Sequence, residues 1–579
     1  MDRQKEREDR NVTVFIYFVM TVILGLMVLR SQCEIEITDE AYYIAEAYSF
    51  LDGNVPFAYN TVLTSGFAMV LSPIIAIWKL ICPTMEGVFL YTRMLFLCFR
   101  MICIIIVFRC LKNHYQKNRL LLSLLVLFPY WGMSIPNFSY NTIASWILLL
   151  VGGMMFYSYM SNDFKLQNTM SVLCGCLVAV AVIAHPAQAI NAIWFAVLWL
   201  NIGKRRKNLK VLWYYALSGI TTTVIVFVYI VLCSGLKELA FGIETIINYG
   251  TFIKPVPFID AIKGLLITFG IEMLLIIAPY IIGVVLGFQM KEKGEKTNGL
   301  PLYATLIGTL MAFLYIIFCK TGAEIFWHLG FVGGLDSVLI AVLPSASKNR
   351  WLMHCFIMPY YFFITINGFM TYCDVSKRMY IFIPTFMVLG LIMYETDSVR
   401  KGGSILVTTI LCIAVFLTTK TDMQYIYKGY PIERLDVKIE SGVYRGIYTV
   451  KDKANSIVEL ESYIKENTND DMNVLFMEVV PMAYLMSNGH AFCPTTWDIM
   501  QYSYGNNDSE GMLRYFESRG DIPDKIIYVD TGRDEMLSID KNGYEFNKFV
   551  EKNYNCVERR QIGNRFKTVL YKNKEIYRR

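Results

Sequence analysis

Apolar residues come in blocks of about 18 or more between residues 12 and 419, separated by short polar or charged stretches. The first block, residues 12–30 around "VFIYFVMTVILGLMVL", is long enough to cross a bilayer. After residue 419 the blocks stop. There "ANSIVELESYIKENTNDD" has helical spacing, "NVLFMEVV" reads as a strand, and "PMAYLMSNG" and "SEGMLRYFESRG" read as helices. "DKIIYVD" reads as a strand, and "NCVERRQIGNRFKTVLYKN" as a closing hairpin. The pattern predicts an α-helical polytopic membrane domain over residues 1–419, with a first outer loop at 31–87. It predicts a small α/β domain over 420–579.

Charge orients the blocks. The N-terminus, "RCLKNHYQKNR" (109–119) and "GKRRKNLK" (203–210) are basic, and "KEKGEK" (291–296) and "SKNR" (347–350) are weakly so. Placing all of them in the cytoplasm requires even numbers of crossings between them. The first interval holds three apolar stretches: 12–30, 61–82 and 88–108. The middle one is interrupted by Gly66, Ser72 and Pro73 and carries Lys79, which suits a juxtamembrane or re-entrant segment. About thirteen crossings follow, with the N-terminus inside and the C-terminal domain extracytoplasmic. The expected address is the cell membrane, and polar and aromatic residues collect on the outer face.

Composition agrees. Of 579 residues, 55% are hydrophobic and only 18% charged, with a mean hydropathy of +0.41. The net charge of +6 belongs to cytoplasmic loops and points to no nucleic-acid partner. Cysteines sit singly in apolar runs. The close pair Cys174 and Cys176 lies in a helix with no second pair at zinc spacing, so no metal site is read there.

The chemistry-bearing residues begin directly after the first span, in "EIEITDEAYYIAEAYSFLDGNVPF". Thr38 can cap a helix, with Asp39 and Glu40 in its first turn. Ala41, Ile44, Ala45, Tyr48 and Leu51 form an apolar stripe, and Gly53 and Pro56 end the helix. An interfacial helix with an acidic start accounts for this much. The same geometry also sets two carboxylates at the membrane boundary, where one can take a proton from a hydroxyl or amine nucleophile. Cations to face a leaving group are few. Arg93 lies near the outer end of its helix and Arg100 two turns deeper, and Lys79 is a further phosphate candidate. Tyr43 on the acidic helix, "PNFSYN" with Asn137, Tyr140 and Asn141, and the outer-face His185 and His328 could bind substrate or serve as scaffold. In the C-terminal domain "PTTWDIMQYSYGN" offers Trp497, Tyr502 and Tyr504 for stacking or for packing.

A first span, an outer loop opening on Asp-Glu, an aromatic and Ala-rich helix and a Gly-x-x-Pro stop resemble the GT-C superfamily of membrane glycosyltransferases. The likeness is to the branch of the protein O-mannosyltransferases and aminoarabinose transferases. The apolar juxtamembrane segment before an Arg-bearing helix, the "SYN" turn, the outer-face "HP" and the exterior C-terminal domain are similar too. The resemblance implies inverting transfer of a sugar from a polyprenyl-phosphate donor to a glycan, lipid or protein acceptor at the outer face. It casts Asp39 as base, with Glu40 beside it, and Arg93 as the lipid-phosphate contact. Where the aminoarabinose transferases carry a Lys-Pro-Pro-type run, this chain reads "FAYNTVLTSG", so sugar and acceptor stay open. No cofactor is implied, and a requirement for a divalent cation is left open. The alternatives are a transporter or flippase of lipid-linked sugars, which should show internal repeats that are not found here, and a non-catalytic envelope-assembly protein.

Overall fold

The computed structural model describes residues 2–130, 135–248, 257–292, 300–342, 347–370, 375–395, 401–497, 509–531 and 544–574. The chain opens with α1 (Asp2–Ser31), α2 (Asp39–Leu51), α3 (Gly66–Ile81), α4 (Val88–Leu111) and the short α5 (Lys117–Leu124). Next come α6 (Tyr140–Met160), α7 (Phe164–Ala184), α8 (Ala189–Arg206), α9 (Lys210–Ser234) and α10 (Leu236–Asn248). The bundle is completed by α11 (Phe258–Glu292), α12 (Leu300–Cys319), α13 (Glu324–Val342), α14 (Ser347–Phe356), α15 (Met358–Met370), α16 (Thr385–Glu395) and α17 (Lys401–Gln424).

Eight of the described helices are long and apolar enough to span a bilayer, so thirteen crossings are not established. Five expected crossings are not among the eight: 187–202, which is α8, 328–346, which falls on α13, and three that are shorter pieces. The expected crossing at 119–135 is α5 plus a single 3-10 turn, 351–370 is split into α14 and α15, and 379–395 opens as a 3-10 helix. The lipid-facing surface is plain on α9, where Leu217, Ile220, Ile225 and Leu232 are exposed. Apolar side chains exposed along a whole span are what hydrocarbon solvates.

The stretch read as interrupted is in fact one helix, α3. Pro73 cannot donate to the carbonyl of Met69, and Ser72 Oγ donates to that carbonyl instead, at 3.1 Å. Gly66 starts the helix because a Cβ there would lie 2.1 Å from the carbonyl oxygen of Ile183. Glycine is what lets α3 close on the end of α7.

The membrane part runs to Gln424, a few residues past the expected 419. The rest has a two-stranded ribbon of β1 (Val437–Lys438) and β2 (Tyr448–Thr449), then α18 (Lys451–Asn467), β3 (Asn473–Met477), α19 (Met482–Met486) and β4 (His490–Ala491). It ends with α20 (Ser509–Arg519), β5 (Lys525–Asp530), α21 (Tyr544–Asn553), β6 (Tyr554–Ile562) and β7 (Phe566–Asn573). Five of these strands form one mixed sheet in the order β4-β3-β5-β7-β6, with β3 parallel to β4 and β5 and the last hairpin antiparallel. Each helix and strand named from the sequence of this region is present. The domain seats on the membrane bundle through α2, which packs on α3 and on α19.

Candidate active site

The site forms where the chain leaves α1 and turns into α2. Thr38 stands at the N-cap but makes no side-chain cap, against expectation. The carboxylate of Glu36 takes that role. It accepts from the backbone N–H of Thr38 at 3.0 Å and of Glu40 at 2.7 Å, and from the Thr38 hydroxyl. A carboxylate reaches two of the orphan amides of a first turn at once and suits the positive end of the helix. Burial, and then the neighbouring Asp39, push the Glu36 carboxyl up to about 7. Nor is α2 an interfacial helix with one dry face. Every residue from Glu40 to Ser49 is buried, because α3 covers one side and the C-terminal domain the other.

The adjacent Asp39 and Glu40 point to different surroundings. Glu40 is fully buried and forks onto Arg93, with Nε at 2.7 Å and a terminal nitrogen at 2.6 Å. Asn137 donates to the same carboxylate at 3.0 Å and to the Thr92 hydroxyl at 2.9 Å. The other donors of Arg93 go to the backbone carbonyls of Ser31 (3.0 Å), Cys33 (3.2 Å) and Glu34 (2.8 Å). All five guanidinium donors are thus spent inside the protein. Arg93, Glu40 and Asn137 tie α4, α2 and the start of α6 to the loop after α1, and in this geometry none of the three faces a ligand.

Asp39 is different. Its side chain is 23% exposed. Its Oδ2 accepts from the Tyr427 hydroxyl at 2.9 Å and forms an ion pair with Lys428, whose ammonium also donates to Thr38 Oγ at 3.0 Å. Its Oδ1 takes no hydrogen bond from a described residue. Lys79 is elsewhere. It lies 3.7 Å from Asp52 and over the ring of Tyr48, in the C-terminal half of α2, while Asp39 begins the helix.

Two more buried carboxylates fasten the C-terminal domain over the site. Glu34, at a left-handed φ of 62°, accepts from Lys453 Nζ at 2.5 Å, Thr449 Oγ at 3.0 Å and the backbone N–H of Tyr430 at 3.2 Å. Glu46 accepts from the Thr496 N–H (2.6 Å), the Thr495 hydroxyl (2.5 Å) and Asn60 Nδ2 (2.5 Å). Burial pushes the Glu46 carboxyl up to about 7 despite these bonds.

The remaining candidates divide in two. Tyr43 is buried, with Tyr140 at 5.6 Å centroid to centroid, and Tyr140 in turn meets His185 at 5.3 Å. His185 is buried, and neither ring nitrogen has a hydrogen-bond partner among the described residues. Burial and Arg378 lower its pKa to about 3, so the ring is neutral. Asn141 accepts from Asn367 at 3.5 Å. These residues form a row leading away from α2. His328 does not join them. Its Nδ1 pairs with Glu272 of α11, and its helix α13 packs on α11, α12 and α16. Trp497 packs edge-on against Tyr42 at 5.3 Å, while Tyr502 and Tyr504 lie outside the described residues.

Sequence reading missed Glu34, Glu36, Glu46, Tyr427, Lys428 and Lys453. The three glutamates were visible beside Asp39, but the residues that meet them come from the C-terminal part. Among the described residues no group of three His, Cys, Asp or Glu side chains is arranged to hold a metal ion.

No family model matches this sequence, and no curated protein matches it. Among solved structures the chain is similar in outline to ArnT from Cupriavidus metallidurans. The apo form gives 12% identity and a TM-score of 0.45, covering 96% of this chain and 98% of that one. The form bound to undecaprenyl phosphate gives 11% identity and the same TM-score, covering 96% and 97%.

Proposed function

We propose that this protein is a membrane glycosyltransferase that moves a sugar from a polyprenyl-phosphate donor to an acceptor hydroxyl or amine, with Asp39 as general base. One observation carries the reading. Of the carboxylates gathered at the start of α2, Glu34, Glu36 and Glu40 are buried and committed to partners inside the protein, whereas Asp39 is part-exposed and keeps one oxygen open. A base must be reachable and must have a lone pair to offer.

In the proposed reaction the acceptor atom attacks the anomeric carbon from the face opposite the phosphate. The new bond forms as the bond from that carbon to the phosphate oxygen breaks, and polyprenyl phosphate leaves with the electron pair. Asp39 Oδ1 takes the acceptor's proton, and the anomeric configuration inverts. The knot of Glu40, Arg93 and Asn137 fixes the helix start on which Asp39 rides, and so contributes by positioning. We place this site on the extracytoplasmic side, with the basic loops inside, from the charge pattern. Sugar and acceptor are not assigned.

The test is to offer purified protein a panel of polyprenyl-phosphate sugars with mixed cell-envelope acceptors and to follow labelled sugar. Transfer with inversion supports the reading. Donor that stays intact under every condition, in folded protein, rejects it.

A further inference from the structure

The segment Ile426–Tyr430 links the last span to the C-terminal domain and crosses directly over Asp39. It is held in an unusual way. Lys428 sits at a left-handed φ of 52°, a conformation an ordinary residue keeps only when its surroundings impose it. Those surroundings are visible on both sides. Gly429 lies so close to Glu34 that a Cβ would fall 2.4 Å from Glu34 Cγ. The Tyr430 N–H is bound by Glu34, and the Tyr430 hydroxyl accepts from Arg565 at 2.8 Å. The strap is thus pinned at Tyr427, Gly429 and Tyr430, and Lys428 is the residue it delivers.

The cations around Asp39 can be compared one by one. Arg93 spends every donor on Glu40 and three carbonyls. Lys453 is buried between Glu34 and the carbonyl of Ile35. Arg30 is buried and engaged with the chain at Cys33 and Asp422. Lys79 belongs to the far end of α2. Lys428 has a side chain 32% exposed, and its bonds to Asp39 and Thr38 use two of the three ammonium donors.

We propose that Lys428 is the residue that binds the donor's phosphate, and that at rest it caps Asp39 until a donor arrives. The inference rests on the transferase reading. A phosphate anion beside Asp39 competes for the same ammonium. As Lys428 turns toward phosphate oxygens it leaves Oδ2 to the Tyr427 hydroxyl alone, so Asp39 loses its counter-charge when the leaving group is in place. The residue then faces the bond that breaks and stabilises the charge that builds on the departing phosphate.

The experiment measures binding of undecaprenyl phosphate in detergent micelles to the purified full-length chain, with thermal unfolding recorded for each variant. Lys428→Met should weaken binding by about tenfold, while Lys428→Arg should stay within about threefold of wild type. Lys79→Met should bind as wild type does. In turnover, Lys428→Met should lose kcat as well as affinity. Equal binding by wild type and folded Lys428→Met, or loss of binding in Lys79→Met instead, would overturn the assignment while leaving the transferase reading intact. If Lys428→Met does not fold, Lys428→Gln decides in its place, and a wild-type Kd in the folded Gln variant would overturn the assignment. Wild-type protein that binds no polyprenyl phosphate would defeat the transferase reading and this inference together.

Discussion

Replacing Glu40 by Leu leaves Arg93 charged, buried and facing three carbonyls, with its two strongest bonds gone. Removing one partner of a buried pair costs about 3–5 kcal/mol, because the other charge is left without compensation. The carbonyls of Ser31, Cys33 and Glu34 soften this, so about 3 kcal/mol is expected for Glu40→Leu. Arg93→Met strands the Glu40 carboxylate with Asn137 alone and should cost about 4 kcal/mol. The double variant strands no charge. It loses three carbonyl hydrogen bonds at about 1 kcal/mol each, so its cost should be about 3 kcal/mol, well below the sum of the two single changes. The coupling is therefore about 4 kcal/mol. It can be read by reversible unfolding in mixed micelles titrated with SDS. Single effects that add to within about 0.5 kcal/mol would show that the pair is not the buried knot described here. Binding separates structure from ligand contact as well. The folded double variant should bind polyprenyl phosphate within about threefold of wild type, and loss of binding there would return the phosphate contact to Arg93.

Other consequences are smaller and as direct. Glu46 has a carboxyl raised from about 4.5 to about 7, so it favours the folded state fully below pH of about 4.5, and that advantage is lost as the pH rises through about 7. Thermal unfolding followed across this window should fall more steeply for wild type than for Glu46→Gln, by an amount equivalent to about 3 kcal/mol, and parallel curves would contradict the latch. His185→Leu removes two buried nitrogens that have no partner among the described residues. It should leave the unfolding temperature unchanged or raise it, while a loss worth more than about 2 kcal/mol would mean the ring is satisfied in the folded protein. Gly429→Ala cannot fit against Glu34 without moving the strap, so it should lower kcat several-fold in protein that is still folded. An unchanged kcat would detach the strap from the chemistry.

What could be read from the sequence was local. Asp39 stood out because "ITDEAYYIAEAY" combines a helix start with acidic residues directly after a span, and the helix is there. The strands of the C-terminal domain were legible from periodicity, though their order was not, since parallel pairing of β3 with β5 depends on contacts outside either strand. Arg93 could be recognised as a costly intramembrane cation. Its partner could not, because the bond to Glu40 joins residues 53 apart and spends the charge on the fold. The place of His328 beside a loop is legible in the sequence, but its partner Glu272 is not, because it comes from another helix. The residues that decide the site were the least visible. Tyr427 lies 388 positions from Asp39, in a link that carries no motif, and only the fold brings the two together. Thr38 was read as the cap because its type fits. Glu36, two residues earlier, reaches the amides of Thr38 and Glu40 together and takes the place.

The role of Asp39 as the base of a polyprenyl-phosphate sugar transfer is open to direct measurement. The direct measurement is a single-turnover assay of polyprenyl phosphate release, with wild type beside Asp39→Asn at matched folded concentration and with donor binding measured in parallel. Asp39→Asn should bind donor within a few-fold of wild type and release its phosphate at least about a hundredfold more slowly, the lower end of what a general base contributes. Release at the wild-type rate in a folded variant that binds donor would contradict that role.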